Sequence, residues 1–481
     1  MPPASSPGLH ERRRDGGRPA PDRAARVRFR RAVTLMLMTL VLPGSAQLVA
    51  GNHRIGRIAL RVFLALLAVS TFCVLLGAVW HGFVYKLFES DLVLSVLRFT
   101  MMVVAIGWAL LFIDAWRLGQ PLTLVRNQRL GLVGINGILC FGVAGSLLFG
   151  AHIVSSGQIL LALFPDGEAS APTNGRYNVL LLGGDSGAGR WGLRPDSMTV
   201  ASIDEDTGRT VLIGLPRNLS NFRFKEGSVM EEQFPDGYDC EECYLNSVST
   251  WATGNKELFG KSKHPGIDAT IEAVEGITDL EINYWVLVDL QGFKDVVDAV
   301  GGVTLNVRSK IPVGLPHEDY FHYIEPGRKK LNGHDTLWFA RAREGSDDYS
   351  RMARQKCVLN AMLTQISPQS ALRNFGAIAK ATKGMVQTNL PRSEIGTFID
   401  LAAKSRGQKV STVSLVPPMI NTGHPDLDLI KAKVEQAIER AEGKAGKPGK
   451  GKGKGTQTGG SLGTRDGGYA ANESDDLAAA C

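Results

Sequence analysis

Residues 178–218 read NVLLLGGDSGAGRWGLRPDSMTVASIDEDTGRTVLIGLPRN, and this stretch decides the fold. Its apolar and β-branched runs NVLLLGG, SMTVASI and TVLIGLP predict three short β-strands. A Gly-rich loop joins the first two strands, and the tight turn DEDTG joins the last two. If DEDTG closes an antiparallel hairpin, Arg217 at the end of the third strand lies beside Asp196 at the start of the second.

Charged side chains gather at that end of the three strands. The Gly-rich loop returns Asp185 to the edge that holds Asp196, and Arg194 and Arg217 lie near both carboxylates. Carboxylates bind hard cations, and arginines clamp phosphate oxygens with their forked donors. The working hypothesis from the residues alone is a Mg²⁺–pyrophosphate site.

The glycines of the loop also fit the dinucleotide fingerprint G-x-G-x-x-G, at Gly187, Gly189 and Gly192. That fingerprint requires a helix directly after the loop. Here Pro195 and a β-rich run follow instead, so we reject a dinucleotide site.

The net charge of +7 is unevenly distributed along the 481 residues. Much of it lies in an Arg-rich arm, residues 1–32, and in a Lys-rich stretch near residues 444–454. The rest of the chain is close to balanced. An arginine-rich segment beside membrane spans is typically a topology signal, so we expect no nucleic-acid partner and a cytoplasmic arm.

A membrane region is predicted over residues 33–154. Three uncharged runs approach the roughly 20 residues that cross a bilayer, and they predict transmembrane helices at about 58–80, 95–115 and 130–154. LPGSAQ interrupts the apolar stretch 33–50, and the arginine-rich segments on both sides of it belong on the cytoplasmic side. We therefore expect a re-entrant or interfacial segment there, and a multi-pass cell-membrane protein whose residues after Val154 lie outside the cytoplasm.

The rest of the chain predicts a linker, a folded domain and a tail. Residues 155–176 are rich in Pro, Gly and Ser and resemble a linker. Helices and strands then alternate over residues 177–441, which predicts a layered α/β/α domain with a central mixed sheet. Residues 442–481 are basic and Gly-rich, and we expect them to be a disordered tail.

A second group of arginines follows about 130 residues after the first. LNGHDTLWFARAR is strand-like, and Arg341 and Arg343 at its end would share one face of a strand. From Tyr349 onward the pattern is helical, so Arg351 and Gln355 share one face of a helix, together with Arg354.

Both groups also have structural interpretations. Asp185 and Asp196 could simply cap a turn and a strand start. The later arginines could belong to a solvated face whose charge is balanced by Glu344, Asp347 and Asp348.

The segments GGDSGAGRWGLRPDSM, LPRN and RAREGSDDYSRMARQ resemble the three motifs of the LytR–CpsA–Psr family, in the family's order, over roughly residues 176–390. The resemblance implies a membrane-anchored transferase with an α/β core. Such enzymes move glycopolymers from a polyprenyl (undecaprenyl or decaprenyl) pyrophosphate carrier onto peptidoglycan by forming a phosphodiester. The multi-span N-terminal region with LPGSAQL is similar to that of actinobacterial members.

Carried over residue by residue, the resemblance assigns Asp185 and Asp196 to a Mg²⁺ cofactor. The remaining assigned residues contact the pyrophosphate: Arg217, Arg341, Arg343 and Arg351, with Arg194 and Gln355 close by. The resemblance gives catalytic roles to Asp185, Asp196, Arg217, Arg341 and Arg343. Many members have Pro-Arg-Asp where this chain has Asn218 after Arg217, which puts the role of that third carboxylate in doubt.

The family also holds its lipid in a hydrophobic tunnel between the sheet and the helices. GIDATIEAVEGI, EINYWVLVDL and FKDVVDAV are apolar enough to line a tunnel, and equally suited to an ordinary core. Two alternatives to the transferase stay open: a hydrolase of the same lipid-linked substrate, and a non-catalytic protein that binds polyprenyl phosphates in the envelope. The motifs do not specify which glycopolymer is moved.

The cysteines do not form a dense disulfide framework. Cys240 and Cys243 form a lone C-x-x-C, and outside the cytoplasm we expect a local disulfide. Cys357 is expected to be buried in its helix, and nothing in the sequence explains Cys481.

Overall fold

The computed structural model describes residues 20–80, 90–184, 194–342, 347–366, 374–382, 386–444 and 472–481. The chain divides into two compact units, Met1–Ser155 and Ser156–Cys481. Asp185 and Arg343 lie outside the described residues.

The first unit is helical. Its helices are α1 (Ala20–Val41), α2 (Ser45–Ala50), α3 (His53–Val79), α4 (Asp91–Leu118) and α5 (Arg126–Leu161), the last of which ends in the second unit. By length and composition, α3, α4 and α5 are apolar enough to cross a membrane, and they overlap the three predicted spans. Helix α5 continues to Leu161, so the first residues of the predicted linker are helical.

The interruption predicted at LPGSAQ separates α1 from α2. Gly44 has a φ of +93°, and a Cβ atom added there would lie 2.5 Å from the carbonyl oxygen of Gly56. Only glycine fits both the left-handed backbone and this close approach to α3. The position of α1 and α2 relative to a bilayer stays a prediction.

The second unit contains a six-stranded mixed sheet of order β10-β3-β2-β1-β4-β9, as predicted. Neighbouring pairs are antiparallel except β1–β4 and β3–β10, which are parallel. The strands are β1 (Arg176–Gly184), β2 (Pro195–Asp204), β3 (Thr210–Leu215), β4 (Tyr284–Asp289), β5 (Val303–Val307), β6 (Ile311–Val313), β7 (His322–Ile324), β8 (Gly327–Leu331), β9 (Val386–Thr388) and β10 (Ser411–Ser414). β5 pairs with β8 and β6 with β7 in two small antiparallel sheets.

Helices pack on both faces of the large sheet. The described helices of the second unit after α5 are α6 (Val229–Gln233), α7 (Val248–Gly254), α8 (Pro265–Thr278), α9 (Leu290–Ala299), α10 (Gly333–Arg341), α11 (Asp348–Gln365), α12 (Phe375–Thr382), α13 (Ile395–Ser405), α14 (Leu427–Glu442) and α15 (Leu477–Ala480). Leu180 and Leu182 of β1 are buried in the core that α8 and α14 complete. Leu181, on the other face of the strand, lies beside α9, α10 and α11. The layered α/β/α arrangement is therefore confirmed.

Residues 333–341 form a helix, so the prediction that LNGHDTLWFARAR is strand-like up to Arg341 and Arg343 was wrong over these residues. The Asn332 side chain accepts a hydrogen bond from the backbone N–H of Asp335 at 2.8 Å, which is an N-cap. Thr336, Phe339 and Ala340 are buried at helical spacing. The aromatic and β-branched composition of LWF favoured a strand, but the cap and the buried face decide for a helix.

The end of the chain is folded, which corrects the predicted extent of the tail. Residues Asn472–Cys481, which we call the C-terminal clasp, lie against β10, the edge strand of the large sheet. Thr412 and Ser474 exchange backbone hydrogen bonds of 2.7 and 3.0 Å, and the Leu477 N–H donates to the Val410 carbonyl at 2.9 Å. The clasp thus covers part of an exposed strand edge.

Side chains fix the clasp to the domain. Cys481 forms a disulfide with Cys357 of α11, and Leu477 is buried in an apolar cluster. Ser414 of β10 donates to the Asn472 amide oxygen at 3.0 Å and accepts a short hydrogen bond from the buried Lys356 ammonium. Burial lowers the pKa of Lys356 to about 7. The structure also pairs Cys240 with Cys243, as predicted.

Cys481→Ser should destabilise the second unit. The disulfide closes a loop with a sequence separation of 124 residues, and loops of that size are expected to contribute about 2–4 kcal/mol to the free energy of unfolding. We expect a lower melting temperature for the detergent-solubilised full-length variant under oxidising conditions.

The matched control is Cys240→Ser, which opens a ring with a sequence separation of only 3. Its effect on the melting temperature should be smaller. Equal melting temperatures for Cys481→Ser and the wild-type protein would show that the Cys357–Cys481 disulfide contributes no stability.

Candidate active site

The antiparallel pairing of β2 and β3 brings Asp196 and Arg217 together, as the hairpin predicts. Met198 pairs with Leu215, so Asp196 and Arg217, two residues beyond this pair, meet at the same end of the two strands. The Arg217 Nη1 atom donates to Asp196 Oδ1 at 2.6 Å. Both side chains are partly exposed, at 27% and 37%, and this ion pair faces the solvent-accessible edge.

Helix α11 adds a second carboxylate, that of Asp348. One of its oxygens, Oδ2, accepts hydrogen bonds from Arg217 Nε at 3.0 Å and from Arg351 Nη2 at 2.9 Å. Arg351 Nη2 also donates to the backbone carbonyl of Asp196 at 3.1 Å. Two arginines from distant parts of the chain are therefore held by one carboxylate.

The charges of this network determine the pKa of Arg217. Partial burial alone would lower the pKa of its guanidinium group, but the hydrogen bond that it donates to Asp196 and the nearby charge of Asp348 outweigh burial and raise the pKa above its ordinary value. Arg217 therefore stays protonated and available as a forked donor.

Gln355, one turn after Arg351, joins the helix to the sheet. Its Oε1 atom accepts a hydrogen bond from the Ser197 hydroxyl at 2.9 Å, and its Nε2 atom donates to the carbonyl of Ala340 at 3.3 Å. The first of these bonds reaches β2 and the second reaches α10. Gln355 therefore has a positioning role at the junction of three elements.

Arg354 points elsewhere, although its spacing placed it on the face of Arg351 and Gln355. Its side chain is fully buried and donates a short hydrogen bond to the carbonyl of Ala342. Burial, together with repulsion from Arg351, lowers the pKa of Arg354 to about 10. Arg354 is thus a structural residue beneath the site.

Arg341 reaches the site from the last turn of α10 and not from a strand. Its guanidinium group lies 5.1 Å from the centre of the Trp338 ring, in a cation–π contact. Arg194, which precedes β2, lines the same cavity. Asp185 and Arg343 fall outside the described residues, so their predicted roles stay predictions.

These side chains surround a polar cavity of about 730 Å³. An apolar cavity of about 320 Å³ adjoins it, between the large sheet and helices α9, α10 and α11. Of the residues that the structure describes, four line both cavities: Gly183, Ser197, Arg341 and Gln355. Of the segments that suited a lipid tunnel, EINYWVLVDL and FKDVVDAV line the apolar cavity, whereas GIDATIEAVEGI forms α8 in the core on the opposite face.

The structure adds residues that the sequence did not single out. Asp348 was predicted only as a charge-balancing neighbour, yet it contacts both Arg217 and Arg351. Asp347 caps α11 by accepting a hydrogen bond from the Ser350 N–H at 2.7 Å. Because Asp348 directly follows this cap, the sequence could have placed it in the first turn of the helix that carries Arg351. Further lining residues of the polar cavity are Asn218, Tyr244, Asn246, Leu315 and Trp338.

The described residues of the cavity offer a small number of oxygen donors for a cation. Within the part of the chain that the structure describes, no group of three or more His, Cys, Asp or Glu residues is suited to a metal. Asp196 lines the cavity, and the neighbouring Asn218 contributes a buried Oδ1 atom that no described group donates to. Carboxylate and amide oxygens are donors that Mg²⁺ takes together with substrate phosphates, so the described residues are compatible with such an ion.

Comparisons with known proteins agree with the motif resemblance. A model described as the LytR_cpsA_psr family matches residues 164–424. Biofilm regulatory protein A of Streptococcus mutans is 28% identical over 222 residues, which cover 44% of this chain and 50% of that protein. The polyisoprenyl-teichoic acid–peptidoglycan teichoic acid transferase TagU of Bacillus cereus is 33% identical over 31% of this chain and 51% of its own length.

Each of these matches therefore spans about half of the relative. Among solved structures, that of Bacillus subtilis TagV is 23% identical, covers 57% of this chain and 100% of that chain, and superposes with a TM-score of 0.40.

Asp348→Asn should lower stability and strengthen the response to an anion. The change leaves two arginine donors without a charged acceptor, which is expected to cost about 1–3 kcal/mol of the free energy of unfolding. Inorganic pyrophosphate can replace the lost charge. We therefore expect a lower melting temperature without pyrophosphate and a larger pyrophosphate-induced increase than in the wild-type protein.

Asp428→Asn is the matched control, because Asp428 also lies in the first turn of its helix and is exposed. It loses the same favourable interaction with the helix dipole but no arginine contact. If both variants changed the melting temperature equally, the arginine contacts of Asp348 would contribute nothing to the free energy of unfolding.

Proposed function

The chain belongs to the LytR_cpsA_psr family, and from that premise we propose that it transfers a glycopolymer from a polyprenyl pyrophosphate carrier to a hydroxyl group of peptidoglycan. The product is a phosphodiester, and the released carrier is a polyprenyl monophosphate. The name of the relative TagU, a polyisoprenyl-teichoic acid–peptidoglycan transferase, supports this class of reaction.

The observation that carries the proposal is the contact between two cavities of opposite character. The polar cavity is lined by Arg194, Arg217, Arg341 and Arg351, whereas the adjoining cavity is lined mainly by apolar side chains. A glycan-bearing polyprenyl pyrophosphate has the same division, with an anionic pyrophosphate and a hydrocarbon tail. The shared lining residues lie where head and tail would join.

The arginines suit phosphoryl transfer. This reaction depends on positioning the phosphates and on neutralising charge at the leaving oxygen. Arg217 and Arg351 are already oriented by Asp348, so little conformational freedom is lost when phosphate oxygens bind. The acceptor oxygen forms a bond to the phosphorus next to the glycan, and the bond from that phosphorus to the bridging oxygen breaks.

Mg²⁺ is the proposed cofactor. Asp196 would hold it, together with Asp185, because Mg²⁺ in such sites commonly takes one or two carboxylates and otherwise binds substrate phosphates. When bound, the ion would supply further neutralisation of the phosphate oxygens. Asp196 also accepts a hydrogen bond from Arg217, so it would fix the position of the metal ion relative to the arginine that binds phosphate.

Transfer to peptidoglycan requires the second unit to lie outside the cytoplasm. Three crossings by α3, α4 and α5, with the arginine-rich segments inside, give this topology and a multi-pass membrane protein. A phosphatase fused after residue 481 should then be active, and a fusion that reported only a cytoplasmic location would contradict the topology.

A transfer assay with labelled lipid-linked glycan and peptidoglycan tests both cavities. Arg217→Ala should lower wall-bound product at least about 100-fold, the scale of losing one charge-stabilising donor in a transition state. Val296→Phe should lower it as well, because Val296 lines the apolar cavity and a larger ring would fill space needed by the lipid. EDTA should abolish transfer, and added Mg²⁺ should restore it.

Val300→Phe is the control, since Val300 follows α9 and does not line the apolar cavity. It should retain transfer. Full transfer by Arg217→Ala would refute the site. Free glycan without wall-bound product would favour a hydrolase, and binding without turnover would favour a non-catalytic binding protein.

A further inference from the structure

A row of rings leads outward from the polar cavity. The Trp338 ring, which carries Arg341 on one side, lies 6.5 Å from the His334 ring between centroids. His334 lies 5.5 Å from the Tyr320 ring, edge to face. We call Trp338, His334 and Tyr320, together with Leu315, the aromatic ledge.

The loop that carries Tyr320 is held in place by its own contacts. Glu318 accepts hydrogen bonds from the Leu315 backbone N–H and from the Tyr320 hydroxyl, which together lower the pKa of the Glu318 carboxyl. Gly314 has a φ of +87°, and a Cβ atom there would lie 2.9 Å from the Tyr320 ring. The ring is therefore seated against the backbone and is not a freely rotating surface side chain.

The ledge nevertheless exposes apolar surface. Tyr320 is 51% exposed and Leu315 is 48% exposed. The contacts of the loop hold the Tyr320 ring in place, yet half of this residue is exposed to solvent. Tyr320 is therefore not part of the hydrophobic core. Exposed apolar surface next to a cavity with converging polar groups is typical of a binding site.

The order of the three surfaces indicates what lies on the ledge. Leu315 and Trp338 line the polar cavity but not the apolar one. A lipid tail in the apolar cavity and phosphates in the polar cavity leave the third part of the carrier, its sugar chain, to continue towards the ledge. Sugar rings have apolar C–H faces that stack on aromatic rings and hydroxyl edges that bind water and polar groups.

We propose that the aromatic ledge binds the first sugar rings of the donor glycan, those nearest the pyrophosphate. This inference rests on the proposed function, because it takes the polar cavity to hold the pyrophosphate. The Tyr320 and His334 rings lie edge to face at 79° and 5.5 Å, and the His334 and Trp338 rings are tilted by 60° at 6.5 Å, so each ring offers a separate contact for a sugar and the ledge is not one continuous stacking plane. Recognition by ring faces selects for pyranose shape more than for one hydroxyl pattern.

Binding of two probes to the full-length protein tests the ledge. One probe is a polyprenyl pyrophosphate without sugar, and the other is the same lipid carrying a disaccharide. Tyr320→Ala should weaken binding of the disaccharide probe about fivefold, the scale of one lost ring contact. Binding of the sugar-free probe should not change.

Two control variants separate the ring from other effects. Tyr320→Phe keeps the ring and loses the hydroxyl bond to Glu318, so it should bind the disaccharide probe nearly as well as the wild-type protein. Tyr323→Ala removes an aromatic ring that is similarly exposed, at 39%, but packs edge to face against Phe321 outside the ledge. It should bind both probes normally.

Several results would overturn the proposal. Equal weakening of both probes by Tyr320→Ala would show that the ring only supports the pyrophosphate site, and no weakening of either would show that no sugar rests on it. A raised KM for the peptidoglycan acceptor, with unchanged donor binding, would assign the ledge to the acceptor.

A soluble disaccharide diphosphate separates failure of the ledge from failure of the proposed function. If the wild-type protein bound this probe in a Tyr320-dependent manner but bound neither lipid probe, the carrier would be wrong and the ledge would stand. If it bound the sugar-free lipid and performed transfer, while Tyr320→Ala had no effect on either sugar-bearing probe, only the ledge would be wrong.

Discussion

One carboxylate oxygen, Oδ2 of Asp348, accepts hydrogen bonds from two arginines, and the candidate site depends on that contact. Arg217 follows β3 and Arg351 lies on α11. Like charges at this distance repel in a partly buried setting, so the two guanidinium groups can converge only because a carboxylate lies between them. The contact therefore both fixes the helix to the sheet edge and concentrates positive charge where phosphates would bind.

The same contact explains how the site is partly buried and still presents arginine donors to the polar cavity. Arg351 is only 4% exposed, whereas Arg217 is 27% exposed. A substrate phosphate that enters the polar cavity meets arginines that are already oriented. It competes with the Asp196 and Asp348 carboxylates for the N–H groups of these arginines. Preorganised donors of this kind need little rearrangement during a reaction. Helix α11 also contributes to the apolar cavity, so one helix serves both halves of an amphiphilic substrate.

The C-terminal clasp contacts helix α11 on the side opposite the candidate site. Cys357 and Lys356 directly follow Gln355, and they contact Cys481 and Ser414 on the far side of the helix. The front of the helix thus faces the site, while its back is joined to an edge strand and to a segment more than 100 residues later in the chain. This arrangement limits the freedom of the arginine-bearing face.

The sequence by itself determined the Asp196–Arg217 pair, the mixed sheet and its helical layers. The pair is local, because a five-residue turn at DEDTG leaves antiparallel strands one register in which the two residues meet. The sharing of Asp348 and the folded clasp were decided only by tertiary structure, because each depends on contacts between segments far apart in sequence. The helical state of residues 333–341 depends on both levels, since the Asn332 cap is local and the burial of one helix face is not. Neither periodicity nor motif spacing reports which distant segment a face or a cysteine will meet.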